Sequence, residues 1–420
     1  MEIKVPYGSG HLTFSVDEER VLGVYAPNDV PLQDESGLLQ QALANPCCGP
    51  SFARFMEETK ELLVLVNDGT RPTPTAQILE ELVGFFEQKT VKFMVATGTH
   101  RPPTQEEYRR IFGQYYDRFA HDILVHDSKQ DEMTFLGTSR YGTEMALNTE
   151  ALKFPRMLII GSVEPHYFAG YTGGRKALLP GIAAYKTIEQ NHEHAMNPAA
   201  APLALKDNPV HEDMVDALRV LDTSALFSIQ TVLDRHRRIY GVTAGDIHQS
   251  FEEAILLAHE VYCVDVDEKA DVIVAAAPPP MDLNLYQSQK AIENNRRLLK
   301  HNGIFILVSA CHKGIGGNSF YPLLSNAETP EEVLDIVSRG YKLGYHKAAN
   351  FVSLMDVAEL WTVTELEPEV LESIFLTPMS DLQSAVDEAL RQKGPKARVL
   401  VFPEGSVTVP RLRGGDEGGA

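Results

Sequence analysis

The stretch Leu62-Leu-Val-Leu-Val-Asn-Asp68-Gly-Thr-Arg71-Pro-Thr-Pro-Thr75 passes from an apolar run through a polar turn into an amphipathic segment. An uninterrupted run of Leu and Val is typical of a strand that is buried on both faces. The segment from Thr75 to Glu87 carries apolar residues at helical spacing. The stretch therefore predicts a strand, a turn and a helix, with the polar side chains of the turn at the carboxyl end of the strand.

The same alternation recurs along the chain. Further apolar, β-branched runs are Val91–Thr97, Met157–Gly161, Val272–Ala277, Ile304–Ala310 and Val399–Phe402. Amphipathic stretches lie between them, as at Phe251–Val261 and Pro330–Arg339. This order predicts an α/β fold of mainly parallel sheets flanked by helices.

The length of 420 residues favours two domains rather than one core. An acidic stretch at 265–271 and three prolines at 278–280 mark the expected boundary. We therefore expect an N-terminal domain at 1–265 and a C-terminal α/β domain at 266–410. The Gly-rich residues 411–420 are expected to form a flexible tail.

Composition excludes several classes of protein. The net charge of −20 argues against nucleic acid and anionic membranes as partners, because both reward clustered Lys and Arg. Four cysteines without a Cys-x-x-Cys motif indicate neither a disulfide framework nor a thiolate zinc site. The chain starts without an apolar signal region and carries no apolar run of membrane-spanning length, so we expect a cytoplasmic protein.

The most informative polar stretch runs from Glu164 to Ile182 and contains His166-Tyr-Phe-Ala-Gly-Tyr-Thr-Gly173-Gly174-Arg-Lys176. Glycines permit a sharp turn that presents the lysine immediately after it. Histidines near such a turn can move protons near neutral pH or bind a metal. The stretch indicates a site for a covalent cofactor or a metal, and the alternative is a glycine turn with solvated polar residues.

Histidines also occur at a second strand end and beyond the lysine. His100 follows the run Val91–Thr97, as His166 follows Met157–Gly161, and parallel strand ends share one edge of a sheet. His192 and His194 are two residues apart, which places them on different faces of a helix, so at most one is expected to bind a metal.

Candidate anion-binding residues lie in both halves of the chain. Arg71 at a helix entrance can bind a carboxylate through two nitrogens, although a solvated arginine beside a capped helix is an equal alternative. In Tyr286-Gln287-Ser-Gln-Lys290, the lysine is a candidate carboxylate partner and the glutamine a candidate donor. An ordinary helix start is the alternative there.

Four of these stretches together resemble the nickel-dependent lactate racemase family, whose members use a nickel-pincer nucleotide. They are Asp68 to Pro74, Gly98 to Pro102, His166 through Lys176 to His192, and Tyr286 to Lys290. The resemblance covers about residues 1 to 400, and Gly-Gly-Arg-Lys-x-x-x-Pro-Gly-Ile is its most specific part. It implies a two-domain α/β protein with the active site in the cleft between the domains.

The resemblance also implies roles for individual residues. Lys176 would carry the cofactor, a pyridinium bis-thiocarboxylic acid mononucleotide with nickel, and His192 would bind the metal. The remaining implied roles are acid/base catalysis for His100 and His166, proximity to the cofactor for Asp68, Thr70, Gly173 and Gly174, and substrate binding for Arg71, Gln287, Lys290 and Tyr286. His194 receives no role. Cofactor-biosynthesis enzymes are the implied protein partners, and a 2-hydroxy acid is the implied substrate.

Three alternatives remain open at this stage. The substrate could be a larger 2-hydroxy acid, such as malate, an aromatic acid or a sugar acid, with Tyr167, Phe168 and Tyr286 narrowing the pocket. Lys176 could instead form a Schiff base with pyridoxal phosphate. A non-catalytic nickel-cofactor carrier would need Lys176 and His192 but not both acid/base histidines.

Overall fold

The computed structural model describes residues 1–414, which divide into two compact units. Its strands are β1 Glu2–Tyr7, β2 Gly10–Ser15, β3 Val21–Val24, β4 Glu61–Asn67, β5 Thr90–Ala96, β6 Ile123–Val125, β7 Met133–Thr138, β8 Glu144–Asn148, β9 Met157–Ser162, β10 Pro165–His166, β11 Gly170–Tyr171, β12 Leu226–Leu233, β13 Ile239–Gly245, β14 Cys263–Val266, β15 Ala270–Ala276, β16 Leu299–Val308, β17 Ala358–Val363, β18 Thr377–Pro378, β19 Val399–Phe402 and β20 Val409–Leu412.

Its α-helices are α1 Glu35–Ala44, α2 Phe52–Glu57, α3 Thr75–Leu82, α4 Gln105–Phe112, α5 Tyr116–Phe119, α6 Thr149–Leu152, α7 Tyr185–Glu193, α8 Pro209–Ala217, α9 Ile247–Tyr262, α10 Leu285–Asn295, α11 Phe320–Ser325, α12 Pro330–Arg339, α13 Tyr345–Met355, α14 Pro368–Glu372 and α15 Leu382–Lys393.

The unit at Asp29–Val261 contains a six-stranded sheet in the order β13-β12-β9-β4-β5-β6. All neighbours pair in parallel except β12 and β13, which are antiparallel. One face of the sheet packs its alternate residues, such as Val64, Phe93 and Ile160, into a hydrophobic core with helices that include α1 and α3. The α/β fold predicted from the alternation of strands and helices is confirmed.

The other unit contains a six-stranded parallel sheet in the order β18-β17-β16-β15-β19-β3. Its inner strands are largely buried on both faces. Ile273 and Phe305 face a core with α10 to α13, whereas Val272 and Ile304 face a second core that includes the β1–β2 hairpin and α15. Alternation between two apolar faces accounts for the continuous apolar runs in the sequence.

Residues 1–28 differ from the sequence-based division, which assigned all of 1–265 to one N-terminal domain. They belong with the residues from Tyr262 onward, because β3 adds to the edge of that sheet beside β19. The break after Val261 lies four residues before the expected boundary at residue 265.

The first residues of the expected tail at 411–420 belong to a strand. Arg411 and Leu412 end β20 and pair in register with Asp265 and Val266 of β14. Residues 415–420 lie outside the described part of the chain.

Candidate active site

Three neighbouring strands of the Asp29–Val261 unit place five of the candidate residues at one edge of the sheet. Strand β4 lies between β9 and β5, and all three are parallel. Asp68, Thr70 and Arg71 follow β4, His100 follows β5, and His166 follows β9. The strand ends predicted to share an edge therefore do so.

Asp68 and His100 form a carboxylate–imidazole pair. Oδ2 of Asp68 lies 2.7 Å from Nδ1 of His100, while Oδ1 accepts hydrogen bonds from the backbone nitrogen (2.9 Å) and the hydroxyl (2.6 Å) of Thr70. Asp68 is only 5% exposed, and burial raises its pKa, but the bonds from His100 and Thr70 outweigh burial and hold the pKa below its usual value. An ionised Asp68 accepts from Nδ1–H, which leaves Nε2 of a neutral His100 as a proton acceptor.

Arg71 contacts an acidic residue of the neighbouring strand end. Its Nη1 lies 3.2 Å from Oε1 of Glu164, and both side chains are about four-fifths buried. Because a guanidinium has five N–H donors in one plane, this contact leaves other donors for a second carboxylate.

His166 lies in a short hairpin formed by β10 and β11. The backbone N–H of Ala169 donates to its Nδ1 at 3.3 Å, so the proton of the neutral imidazole is on Nε2. The ring is 8% exposed and packs against Tyr167 and Phe168, with centroid distances of 5.1 and 4.5 Å. His166 is thus a proton donor at Nε2 in this arrangement, whereas His100 is an acceptor.

The turn before Lys176 needs both of its glycines. Gly173 and Gly174 have φ values of 85° and 50°, and the N–H of Gly174 donates to Oε1 of buried Gln230 at 3.0 Å. A Cβ on Gly173 would lie 2.6 Å from that same oxygen. The turn therefore fits closely against β12, which carries Gln230.

The lysine turn also contacts the turn that carries His100. The N–H of Gly98 donates to the carbonyl oxygen of Gly181 at 3.0 Å, just after the Leu179–Pro180 cis peptide bond. The hydrogen bond between Gly98 and Gly181 thus connects the loop that follows β5 with the loop that precedes α7.

Phe168 lies against three of the candidate side chains. Its ring centroid is 4.5 Å from the ring of His166, 5.1 Å from the ring of His192 and 5.4 Å from Nζ of Lys176. The structure thus brings His166, Lys176 and His192 around one aromatic ring.

His192, in the last turn of α7, has the properties of a metal ligand. Burial first, and the charge of Lys176 second, lower its pKa to about 3. A neutral imidazole is the form that binds metals. Across residues 1–414, no three His, Cys, Asp or Glu side chains are arranged to bind a metal ion by themselves.

The residues present fit a covalently attached, metal-bearing cofactor. An amine and a neutral imidazole lie near the same aromatic ring, and the charge of Lys176 is close enough to His192 to lower its pKa. The glycine turn leaves no space for a side chain on the side that faces Gln230.

The candidate residues of the second unit lie on α10. Nζ of Lys290 lies 3.3 Å from Sδ of Met281. Tyr286 is held by Lys347, whose Nζ donates to its carbonyl oxygen at 2.6 Å and lies 3.5 Å from its ring centroid. Burial, and then the charge of Lys290, hold the pKa of Lys347 well below its usual value, whereas Glu293 opposes that shift. Gln287 is half-buried on the same helix.

Three participants were not identified from the sequence. Glu164 was noted only as part of a strand end, Phe168 only as an aromatic residue that narrows the pocket, and Gln230 not at all. Each contacts a residue far along the chain. Glu164 lies 93 residues from its partner Arg71, Phe168 lies 24 residues from His192, and Gln230 lies 56 residues from Gly174. No local pattern links residues so far apart, although the position of Glu164 directly after a buried strand was a usable signal.

Models of two protein domains match the chain. The model described as the lactate racemase N-terminal domain matches residues 7–202, and the lactate racemase C-terminal domain matches residues 264–409. The chain belongs to the lactate racemase family. The resemblance inferred from the motifs is thereby confirmed, and the chain is an isomerase of the racemase type.

Curated relatives and solved structures extend over nearly the whole chain. A lactate racemase of Thermoanaerobacterium thermosaccharolyticum is 29% identical over 97% of this chain and 99% of its own length. That of Lactiplantibacillus plantarum is 29% identical over 96% and 98%. The apoprotein structure of the lactate racemase from T. thermosaccharolyticum has a TM-score of 0.90, with 98% of this chain and 100% of that chain covered.

A Thermotoga maritima protein of 15% identity shares the fold, with a TM-score of 0.70 over 92% of this chain and 100% of its own. Within residues 1–414, no helix combines the length and the apolarity that crossing a membrane requires.

Proposed function

We propose that the protein racemises lactate, or a closely related 2-hydroxy acid, with a nickel-pincer nucleotide attached at Lys176. The main support is the placement of His100 and His166 after the two strands that flank β4, with Lys176 and His192 beside Phe168. The family membership and the lactate racemases among its relatives support the same substrate class.

The cofactor would be bound by a lysine and a histidine of this chain. Lys176 would carry it through an amide-type bond, and His192 would bind the nickel. When bound, the cofactor supplies a reversible hydride acceptor for the hydrogen on C2 of the substrate. Asp68, Thr70 and the two glycines would shape its surroundings.

The acid/base steps fall to the two imidazoles. Nε2 of His100, with its tautomer set by Asp68, would remove the hydroxyl proton from one enantiomer, and His166, which carries its proton on Nε2, would supply the proton on the other face. The two groups would exchange these roles for the other enantiomer. General acid–base catalysis of this kind typically contributes about 10²–10⁴-fold to a rate.

Substrate binding is assigned to Arg71, Lys290, Gln287 and Tyr286. An arginine binds a carboxylate through two parallel hydrogen bonds, which also fixes the orientation of the C2–H bond. Lys290 adds a second positive charge, and Gln287 a hydrogen-bond donor.

The test uses protein produced together with cofactor-biosynthesis enzymes, which the proposal expects as its partners. We expect racemisation of both lactate enantiomers, added mass on the peptide that contains Lys176, and nickel bound to the protein. Racemisation of malate and mandelate, measured in parallel, shows whether larger 2-hydroxy acids are also substrates. Retention of the C2 hydrogen during turnover is expected for hydride transfer, whereas rapid exchange with solvent would overturn that mechanism.

Two histidine variants examine the metal site. His192→Ala should lower the nickel-to-protein ratio sharply, and His194→Ala should retain it. Nickel bound without any racemisation of the 2-hydroxy acids tested would instead favour a cofactor carrier.

A further inference from the structure

Asp213, on α8, is a buried carboxylate to which several separate segments donate hydrogen bonds. It is 0% exposed. The hydroxyl of Ser139 donates to Oδ1, while the hydroxyl of Thr143 and the amide of Asn191 each donate to Oδ2 at 2.7 Å. Because removing a carboxylate from water is costly, a site of this kind is stable only when its oxygens are hydrogen-bonded.

These donors come from two elements, the β7–β8 hairpin and α7. Ser139 and Thr143 are in the turn between β7 and β8, and Asn191 is in α7 itself. Asn191 is also 0% exposed, and its amide donates a second bond to the carbonyl oxygen of Val210 at 3.2 Å. Asp213 thereby joins the hairpin, α7 and α8 at one point.

His194 belongs to the same cluster. Its Nε2 lies 3.8 Å from Oδ2 of Asp213, and its ring meets the ring of Tyr141 edge to face at 5.9 Å. The histidine to which the sequence assigned no role therefore packs against this carboxylate.

Asn191 immediately precedes His192 in the last turn of α7. Adjacent residues on a helix point about 100° apart, so Asn191 can hold the helix from one side while His192 faces Phe168 and Lys176 from another. The start of the helix is fixed separately, since the hydroxyl of Thr187 donates to the carbonyl oxygen of Glu144 at 2.6 Å. The last turn, which carries the imidazole, is bonded through Asn191 to the Asp213 carboxylate and to the carbonyl oxygen of Val210.

We propose that Asp213 is a positioning residue for His192, which sets the rotation of the last turn of α7 and so presents the imidazole to the cofactor metal. This inference rests on the proposed function, in which His192 is the metal ligand. A carboxylate is needed because three donors converge on its two oxygens. An asparagine offers one acceptor oxygen and would turn its own N–H₂ group toward at least one donor.

Asp216 provides a matched control on the same helix. It is 6% exposed and accepts a hydrogen bond from the backbone nitrogen of Arg140 at 2.6 Å. It also pairs with the side chains of Arg140 and Arg219, at 3.3 and 2.9 Å. Asp216→Asn therefore removes a buried carboxylate from α8 without removing the bond to Asn191.

The experiment compares the full chain with its Asp213→Asn, Asp216→Asn and His192→Ala variants, each produced with the cofactor-biosynthesis enzymes. The nickel-to-protein ratio of the folded fraction is measured, together with the imidazole resonances of ¹⁵N-histidine-labelled, cofactor-free protein. Removing a residue that orients a metal ligand typically costs about 10–100-fold in metal affinity. We expect a loss of that size, and a shifted His192 resonance, for Asp213→Asn but not for Asp216→Asn.

A second variant covers the case in which Asp213→Asn does not fold. Asn191→Ala removes the bond between α7 and Asp213, together with the bond to the Val210 carbonyl oxygen, and leaves the Ser139 and Thr143 donors in place. It should lower nickel binding and shift the His192 resonance in the same direction. Normal nickel content and an unshifted resonance in the Asp213→Asn or Asn191→Ala protein would overturn the proposal, as would equal losses in Asp216→Asn. Retention of nickel by His192→Ala would instead overturn His192 as the ligand.

Discussion

Arg71 and Glu164 form an ion pair across neighbouring strand ends, with Nη1 and Oε1 3.2 Å apart. Arg71 follows β4, and Glu164 follows β9 and comes two residues before His166. A carboxylate already lies where the substrate carboxylate is proposed to bind. Under the proposed function, Glu164 would orient the guanidinium and would also compete with the substrate for it.

Substitutions at this pair should change substrate binding in opposite directions. Loss of a charge-assisted hydrogen bond costs about 1.5–3 kcal/mol, so Arg71→Ala should weaken binding of a 2-hydroxy acid roughly 10- to 150-fold. Glu164→Gln keeps an acceptor oxygen but removes the competing charge, and should tighten binding. Dissociation constants from calorimetry on cofactor-loaded protein measure both effects. Arg101→Ala is the control variant, since it removes an exposed arginine that is paired with Glu107, and it should leave the dissociation constant unchanged.

Lys290 is the second proposed carboxylate contact and can be tested alone. Lys290→Gln removes its charge at similar length and should weaken substrate binding by a similar factor of about 10–150. Lys300→Gln is the control, because Lys300 pairs with Asp271 at 3.0 Å elsewhere in the same unit. Equal substrate affinity in the Lys290 and Lys300 variants would remove Lys290 from the binding site.

The sequence was sufficient to predict the strands and the polar residues at their carboxyl ends, because each depends on local pattern. The run before Asp68 became β4, the run before His100 became β5, and the run before His166 became β9. Once the strands are parallel and adjacent, their carboxyl ends must meet. The glycine turn at Lys176 was likewise visible, because positive φ angles at Gly173 and Gly174 require glycine.

What the sequence did not reveal are relationships between distant segments. Asp68 was expected near the cofactor, and its hydrogen bond to His100, 32 residues later, was not foreseen. Residues 1–28 were expected in the N-terminal domain, whereas they lie in the compact unit that contains the residues from Tyr262 onward, because an edge strand gives no sign of which sheet it joins. The Asp68–His100 hydrogen bond and the pairing of β3 with β19 both join segments that are far apart in the chain. Contacts over such distances leave no periodic pattern in the sequence.

The two acid/base histidines should both be required. His100→Ala and His166→Ala should each lower the initial rate with either lactate enantiomer by about 10²–10⁴-fold, because each group is base for one enantiomer and acid for the other. Exposed His121 provides a control variant that should retain activity. Near-normal rates in the His100 or His166 variant, with the cofactor attached, would contradict a two-histidine mechanism.

Asp68 should make the stability of the folded protein depend on pH in the acidic range. Its pKa is lower in the folded protein than in the unfolded chain, so its contribution to stability is present above the unfolded value of about 4 and is lost as the pH falls through the folded value. Asp68→Asn should lower the urea midpoint at pH 7 and flatten its decline below about pH 4. It should also slow racemisation, because an asparagine no longer fixes the tautomer of His100. If the urea midpoint of Asp68→Asn changed with pH in parallel with that of the parent protein, Asp68 would not contribute to the pH dependence of stability.

The tight fit of the lysine turn predicts that a single methyl group at Gly173 prevents cofactor attachment. Gly173 has φ +85°, and an added Cβ would lie 2.6 Å from both Gln230 Oε1 and Val163 Cγ2. Gly142 has φ +89° but nothing within 4 Å of its added Cβ, so Gly142→Ala carries backbone strain without a clash. Strain of this kind costs about 1–3 kcal/mol, and both variants should therefore unfold at a lower temperature. Only Gly173→Ala must also displace the Gln230 side chain or the turn itself, and a displaced turn moves Lys176. When both variants are produced with the cofactor-biosynthesis enzymes, only Gly173→Ala should therefore lose the added mass on the Lys176 peptide. Thermal unfolding and peptide mass measured on the same samples separate the two effects, and full attachment in a folded Gly173→Ala protein would show that the turn tolerates the displacement.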